Sequence, residues 1–168
     1  MARVGIALGS NLGDRLANLR AARARLVCLA RPGGAFLQAP IYQTAPVHCP
    51  PDSPDFYNTV VEIEFDGTPD ELLAQARQIE AALGRVGTAA RNAPRVIDVD
   101  LLYFGAEEVA TEALVLPHPR LALRRFVLQP LADIRPELRL PGDATSIAEH
   151  LRQLASDEPA LALVRAAW

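Results

Sequence analysis

Apolar and polar positions change period several times along the chain, and each change marks an element. Residues 3–8, "RVGIAL", form a short apolar run closed by the turn formers Gly9, Ser10 and Asn11, which predicts a buried strand. A helix follows, with Asp14 placed to cap it and Leu19, Ala22, Leu26 and Leu29 recurring at helical spacing. After the break "RPGG" the pattern predicts a second strand from Ala35 to Gln43, then a proline-rich loop, "APVHCPPDSPD". Phe56 to Phe65 alternates cleanly: Tyr57, Thr59, Val61, Ile63 and Phe65 share one face, and Asn58, Val60, Glu62 and Glu64 the other. "TPDE" then announces a second helix, with Thr68 as cap, Pro69 in the first turn, Glu71 completing a capping box and Gly84 as the stop. Its apolar stripe is Leu72, Ala76, Ile79 and Leu83.

The stretch "APRVIDVDLLYFG", Ala93 to Gly105, has the composition of a buried strand but carries two aspartates inside it. Strict alternation puts Val96, Asp98, Asp100, Leu102 and Phe104 on one face, and Ile97, Val99, Leu101 and Tyr103 on the other, which reads as core. Two carboxylates spaced this way have Cα atoms roughly 6–7 Å apart, close enough to share a cation. The remaining third is richer in proline and is expected to end in a helix capped by Ser146 with Glu149.

The order β-α-β-β-α-β predicts an α+β, ferredoxin-like antiparallel sheet with helices on one face. The other face needs a cover or a ligand. The segment after Gly105 has to supply that cover, leaving Asp98 and Asp100 to point into the cleft between it and the sheet.

Composition narrows the function classes. With 168 residues the chain has the length of a single domain, 1–168, and its net charge of -3 gives no basic field for nucleic acid. Every side-chain cation at neutral pH is an arginine, so a polyanion has to be met by a local arginine cluster. Cys28 and Cys49 fit no metal or disulfide spacing. No apolar run is long enough for a membrane span or signal segment, so the expectation is a cytoplasmic protein with no membrane partner.

Several segments carry candidate chemistry, each with a plainer alternative. Asp98 and Asp100 read either as a magnesium site completed by phosphate oxygens, or as a salt-bridged pair with Arg95 as partner. Arg85, Arg91 and Arg95 form a phosphate-binding loop or an ordinary solvated one. "GSNLG" lacks the lysine and hydroxyl of a Walker loop. "LPHPRLALRRF" brings His118, Arg120, Arg124 and Arg125 together, where a histidine among prolines is otherwise structural.

Taken in order, "GSNLGDR", "YQTAPV", "DFYNTVVEIE", "QIEAALGR", "APRVIDVDLLYFG" and "LPHPRLALRRFVLQPLADIRPEL" resemble the 6-hydroxymethyl-7,8-dihydropterin pyrophosphokinase family almost end to end. The resemblance implies a monomeric folate-pathway enzyme acting on small molecules, which moves the β,γ-pyrophosphoryl group of ATP to a pterin hydroxymethyl oxygen with two Mg2+ ions. It implies Asp98 and Asp100 as metal ligands, and these with Arg91 and Arg95 as the catalytic set. The pterin would meet Thr44, Ala45, Pro46, Val47 and Asn58, sandwiched between Phe56 and Phe126; the aromatics otherwise read as core. ATP would meet Glu80, Arg91, Arg95, Leu101, Val115, His118 and Arg124.

The chain departs from the family pattern in the loop before the aspartate strand. Gly87, Asn92 and Ala93 stand where a basic residue, a tryptophan and a glycine are usual, Ala113 where an arginine is common, and Arg77 where a glutamine is common. These departures keep a rival in view, a non-catalytic pterin- or nucleotide-binding regulatory module. A nucleotidyltransferase, which would release pyrophosphate, is opposed by the long separation of the Gly-Ser turn from the aspartates.

Overall fold

A computed structural model describes residues 1–46, 49–84, 95–155, 157–158 and 160–168. Six strands make one sheet: β1 (Ala2–Ser10), β2 (Phe36–Gln38), β3 (Ile41–Thr44), β4 (Phe56–Phe65), β5 (Asp98–Phe104) and, from the far end of the chain, β8 (Ala162–Arg165). The order across the sheet is β5-β1-β4-β3-β8, with β2 also paired to β4, and all pairings are antiparallel. Helices α1 (Arg15–Leu29) and α2 (Pro69–Ala82) lie between strands in the predicted order, giving the ferredoxin-like α+β arrangement.

Local chemistry starts the helices where the pattern predicts. Asp14 accepts the Ala17 N–H at 3.0 Å. Thr68 and Glu71 make a complete capping box, and Gly84 ends that helix with φ of 105°. Leu19, Ala22 and Leu26 of α1 and Leu72, Ala76 and Ile79 of α2 are buried against Val4, Ile6, Leu8, Val61, Ile63, Val99 and Leu101 of the sheet.

Four expectations are corrected. The single strand expected over 35–43 is two, β2 and β3, separated at Ala39 and Pro40, because proline has no N–H for the ladder. The aspartate strand begins at Asp98 rather than near Ala93. The proline-rich last third carries a hairpin, β6 (Val109–Ala110) with β7 (Val115–Leu116), and a helix, α3 (Arg125–Ile134), that the pattern does not announce. Pro130 sits inside α3, where a proline ordinarily argues against a helix. Ser146 and Glu149 do form a capping box on α4 (Ile147–Gln153), but the chain then returns to the sheet as β8 instead of ending there.

The fourth correction concerns alternation within β5. Ile6 pairs with Leu101 but Gly5 pairs with Tyr103, so one extra residue is accommodated opposite the β1 ladder. Such a bulge resets the faces beyond it. Tyr103 therefore turns toward α3 and donates from its hydroxyl to Glu62, while Phe104 joins the α1/α2 side, 6.3 Å edge-to-face from Phe65. Both are opposite to the strict two-residue period. A Cβ on Gly5 would lie 2.2 Å from the Tyr103 ring, which is why the bulged side chain requires glycine beneath it.

The described residues cover part of the second face of the sheet. Val60, Leu102 and Tyr103 pack against Leu121, Val127, Leu128, Leu131 and Ile147 of α3, α4 and the turn before α3. Glu62, 2% exposed, is neutralised there by Arg135 at 2.6 Å and Arg3 at 3.3 Å. The part left open, toward the start of β5 and the end of β1, is the cleft.

Candidate active site

The cleft is a cavity of about 480 Å³ floored by Ala7 and Gly9 of β1. Their smallness makes the room: a Cβ on Gly9 would lie 2.7 Å from Asn58 Oδ1. Asp98 and Asp100 enter from β5, Thr44 and Ala45 from the end of β3, and Phe56 and Asn58 from β4; Arg95, His118, Arg120, Arg124 and Phe126 close the rim.

Arg95 is placed by the turn that follows β1. Asn11, 1% exposed, accepts the Arg95 N–H through Oδ1 at 2.7 Å and donates its own N–H to the Arg95 carbonyl at 3.1 Å. Its Nδ2 also donates to the Pro54 carbonyl at 3.3 Å, tying in the entry to β4. The "GSN" turn, featureless as a phosphate loop, is thus a buried knot holding two site-bearing segments. From that base Arg95 Nη1 donates to Asp98 Oδ1 at 2.9 Å.

The two aspartates differ. Asp98 has its guanidinium partner, as the plain reading of the motif expects. Asp100 makes no hydrogen bond or ion pair to the described residues, and its carboxyl is pushed up to about 7 by burial first, then by the charges of Asp98 and Glu80, against the opposing pull of Arg124 and Arg95. Glu80 approaches from α2, and its Oε1 accepts the N–H of Val99, between the two aspartates, at 2.9 Å. Since β5 is an edge strand, this N–H would otherwise lack a ladder partner. Negative charge concentrated in a partly desolvated cleft is the electrostatic setting a divalent cation relieves. Among the described residues no third His, Cys, Asp or Glu completes a cage, so an ion here would take its other ligands from water and substrate.

At the opposite wall Asn58 Nδ2 donates to Thr44 Oγ1 at 2.8 Å, and both side chains are 8% exposed. Phe56 and Phe126 both line the same space, with the Arg124 guanidinium 5.4 Å from the Phe126 ring centre. His118 is held by two backbone bonds: its N–H donates to the Leu102 carbonyl at 2.7 Å, and its Nδ1 accepts the Arg120 N–H at 3.1 Å.

Of the residues singled out from sequence, Thr44, Ala45, Phe56, Asn58, Arg95, Asp98, Asp100, His118, Arg124 and Phe126 come together around the cavity. Pro46 lies outside its lining, Leu101 is buried in the α1/α2 core, and Val115 is exposed on β7. Val47, Arg91 and the altered positions Gly87, Asn92 and Ala93 lie outside the described residues. Arg120, noted with His118 in the sequence, also lines the cavity, while Ala7, Gly9 and Asn11 are contributors missed by sequence reasoning. Small residues at every second place in "GIALG" were the available signal for the floor.

The profile of the family described as 7,8-dihydro-6-hydroxymethylpterin-pyrophosphokinase matches residues 5–136. The chain belongs to this family. It is 46% identical over 129 residues to the Bacillus subtilis 2-amino-4-hydroxy-6-hydroxymethyldihydropteridine pyrophosphokinase, covering 77% of this chain and 75% of that one. Its identity to the Methylorubrum extorquens protein of the same name is 40% over 154 residues, covering 92% and 94%. The Pneumocystis carinii folic acid synthesis protein fol1 is 35% identical over 156 residues, but the matched part is only 20% of its length. Among solved structures, the wild-type Plasmodium falciparum HPPK-DHPS with pteroate superposes with a TM-score of 0.69 over 90% of this chain and 42% of that one. At 14% identity that likeness speaks for the pyrophosphokinase fold alone.

Proposed function

We infer that this chain transfers pyrophosphate from ATP to the hydroxyl of 6-hydroxymethyl-7,8-dihydropterin, releasing AMP, in folate biosynthesis. Family membership and the two bacterial relatives, matched over 75% and 94% of their lengths, support the activity. The observation that carries it into this molecule is the meeting, in the lining of one cavity, of a carboxylate pair, arginines from two segments, two phenylalanines and a polar amide.

Phe56 and Phe126 fit the faces of the flat bicyclic acceptor, while Asn58, already oriented by Thr44, has one amide N–H and its carbonyl oxygen left for the ring edge. That seats the hydroxymethyl group toward Asp98 and Asp100. Arg95, Arg124 and His118 face the polyphosphate from the rim, with Arg91 assigned to the same task. The acceptor oxygen attacks the β-phosphorus, the bond from that phosphorus to the oxygen bridging the α-phosphate breaks, and AMP departs carrying that oxygen. The hydroxyl proton passes to a carboxylate oxygen or to water. Mg2+ bound at the carboxylate pair would neutralise phosphate charge and polarise the reacting oxygens. Asp98 and Asp100 are the residues to hold it, and holding reactants in line is the chain's own contribution.

Glu80 fits this scheme as a support for the aspartate strand, since its carboxylate is bonded to the Val99 backbone between the two ligands. The reading extends to a single-domain cytoplasmic monomer. Separately, no described helix is long and apolar enough to cross a membrane.

Incubation of the protein with ATP, Mg2+ and the hydroxymethyl-dihydropterin tests it, with AMP and the pterin diphosphate as expected products. ADP in place of AMP overturns the reaction type. Tight pterin binding without turnover establishes the regulatory module instead.

A further inference from the structure

Among the described residues lining the cleft, His118 is a titratable side chain whose ring is gripped by backbone at a defined nitrogen. Its Nδ1 accepts the Arg120 N–H at 3.1 Å, while its own peptide N–H is fixed on the Leu102 carbonyl at 2.7 Å. A ring nitrogen that accepts a hydrogen bond carries a lone pair, so the proton of the neutral ring resides on Nε2. That nitrogen makes no hydrogen bond to the described residues, and the ring lines the cavity.

The surroundings oppose a second proton on the ring. Burial acts first, then the guanidinium groups of Arg124 and Arg120, with Asp98 as the opposing charge, and together they hold the imidazole below its ordinary range. Protonation at Nδ1 would also turn the Arg120 N–H from a partner into a competitor.

We propose that His118 is a neutral, single-tautomer hydrogen-bond donor, its Nε2–H fixed toward the polyphosphate by the Arg120 peptide, and not a proton donor to the leaving group. Resting on the pyrophosphoryl-transfer reading above, this specifies how one residue serves it. A phosphate-bound AMP leaving group needs no acid of imidazolium strength, because the oxygen that departs is itself a weakly basic phosphate oxygen. The arginines already bring charge; the neutral ring adds direction.

Two measurements decide the proposal. Long-range proton–nitrogen correlation on the 15N-labelled free protein near neutral pH reads the tautomer directly and needs no activity. The expected pattern for His118 is a protonated Nε2 beside an unprotonated Nδ1; a doubly protonated ring, or the reverse tautomer, overturns the proposal. The second compares variants that stay folded. Glutamine reproduces an Nε2 donor, so His118→Gln keeps AMP formation within about tenfold of the parent. His118→Asn, which places its amide near the Nδ1 position, falls roughly a hundredfold, as does His118→Ala. Equal losses in Gln and Asn overturn the donor role. If the parent enzyme makes no AMP at all, the reaction assignment fails while the tautomer result stands by itself.

Discussion

The two faces of one sheet do different work. On the side of α1 and α2 the inward residues are Val4, Ile6 and Leu8 of β1, Val61 and Ile63 of β4, and Val99 and Leu101 of β5, an apolar surface met by apolar helix stripes. On the other side the same strands present Gly5, Ala7 and Gly9, then Asn58, Val60 and Glu62, then Asp98 and Asp100. Because strand side chains alternate, a single stretch such as Asp98 to Leu101 can anchor the core with every second residue and keep the intervening ones for chemistry. The lesson is a division of labour at single-residue spacing: one face supplies the stability that lets the other hold unfavourable charge in place.

The sharpest way to break the comparison is to delete from each face in turn. Asp98→Ala and Asp100→Ala are expected to fold and to lose transfer by roughly three orders of magnitude or more, the loss of several kcal/mol of charge stabilisation. AMP formation checks this, with circular dichroism as the folding control. On the helix side, Leu26→Ala removes a fully buried side chain and is expected to cost about 2–5 kcal/mol of stability. The rate per folded molecule should be unchanged, as read from denaturant titration alongside the assay. Near-normal transfer by either aspartate variant removes its metal role; a catalytic loss in the folded leucine variant removes the separation of the faces.

The two sides were also unequally legible in the sequence. The helix side is written in short-range signals: caps at Asp14 and Thr68, a stop at Gly84 and apolar stripes of the right period, all of which need only neighbouring residues. The chemical side depends on long-range placement. Asn11 reaches Arg95 across 84 positions, and no local pattern encodes that bond. Helix α3 was hidden by Pro130, and the faces of Tyr103 and Phe104 were inverted by a bulge that exists only because β1 lies alongside. The clustering of Asp98, Asp100, Arg95, His118, Arg124, Phe56, Asn58 and Phe126 was reached through family resemblance, since motif spacing alone left each with a plainer reading.

Acidity offers a finer test of the charged face. With its carboxyl raised to about 7 in the folded protein, Asp100 takes up a proton on folding at pH values between the ordinary carboxylate range and about 7. Its contribution to stability is therefore more favourable at the lower end of that window and is lost as pH rises through about 7, where a buried carboxylate must stay charged. Asp100→Asn cannot titrate. In chelator, melting temperatures of parent and variant should separate as pH rises toward 7 and hold that separation above it, the variant becoming the more stable. A constant offset across the window would show that Asp100 is already ionised and balanced in the metal-free fold.

The smallest expected effect lies at the seam between the faces, at Glu80. Reaching round the open edge of the sheet from α2, it accepts the Val99 N–H, and Val99 itself points into the helix-side core between the two aspartates. If the carboxylate serves as an acceptor that keeps β5 straight, Glu80→Gln keeps an oxygen in the same place and should retain activity within about tenfold, whereas Glu80→Ala leaves an edge N–H to water and a looser strand, costing about 1 kcal/mol of stability. The alanine variant should then show a weakened Mg2+ dependence that the glutamine variant lacks, because the Asp98–Asp100 spacing is no longer pinned. If instead Glu80 contacts the nucleotide directly, both variants should raise KM for ATP with little change in Mg2+ dependence. The two outcomes differ in which substrate's titration moves, so one set of initial-rate measurements separates a support for the aspartates from a ligand of ATP.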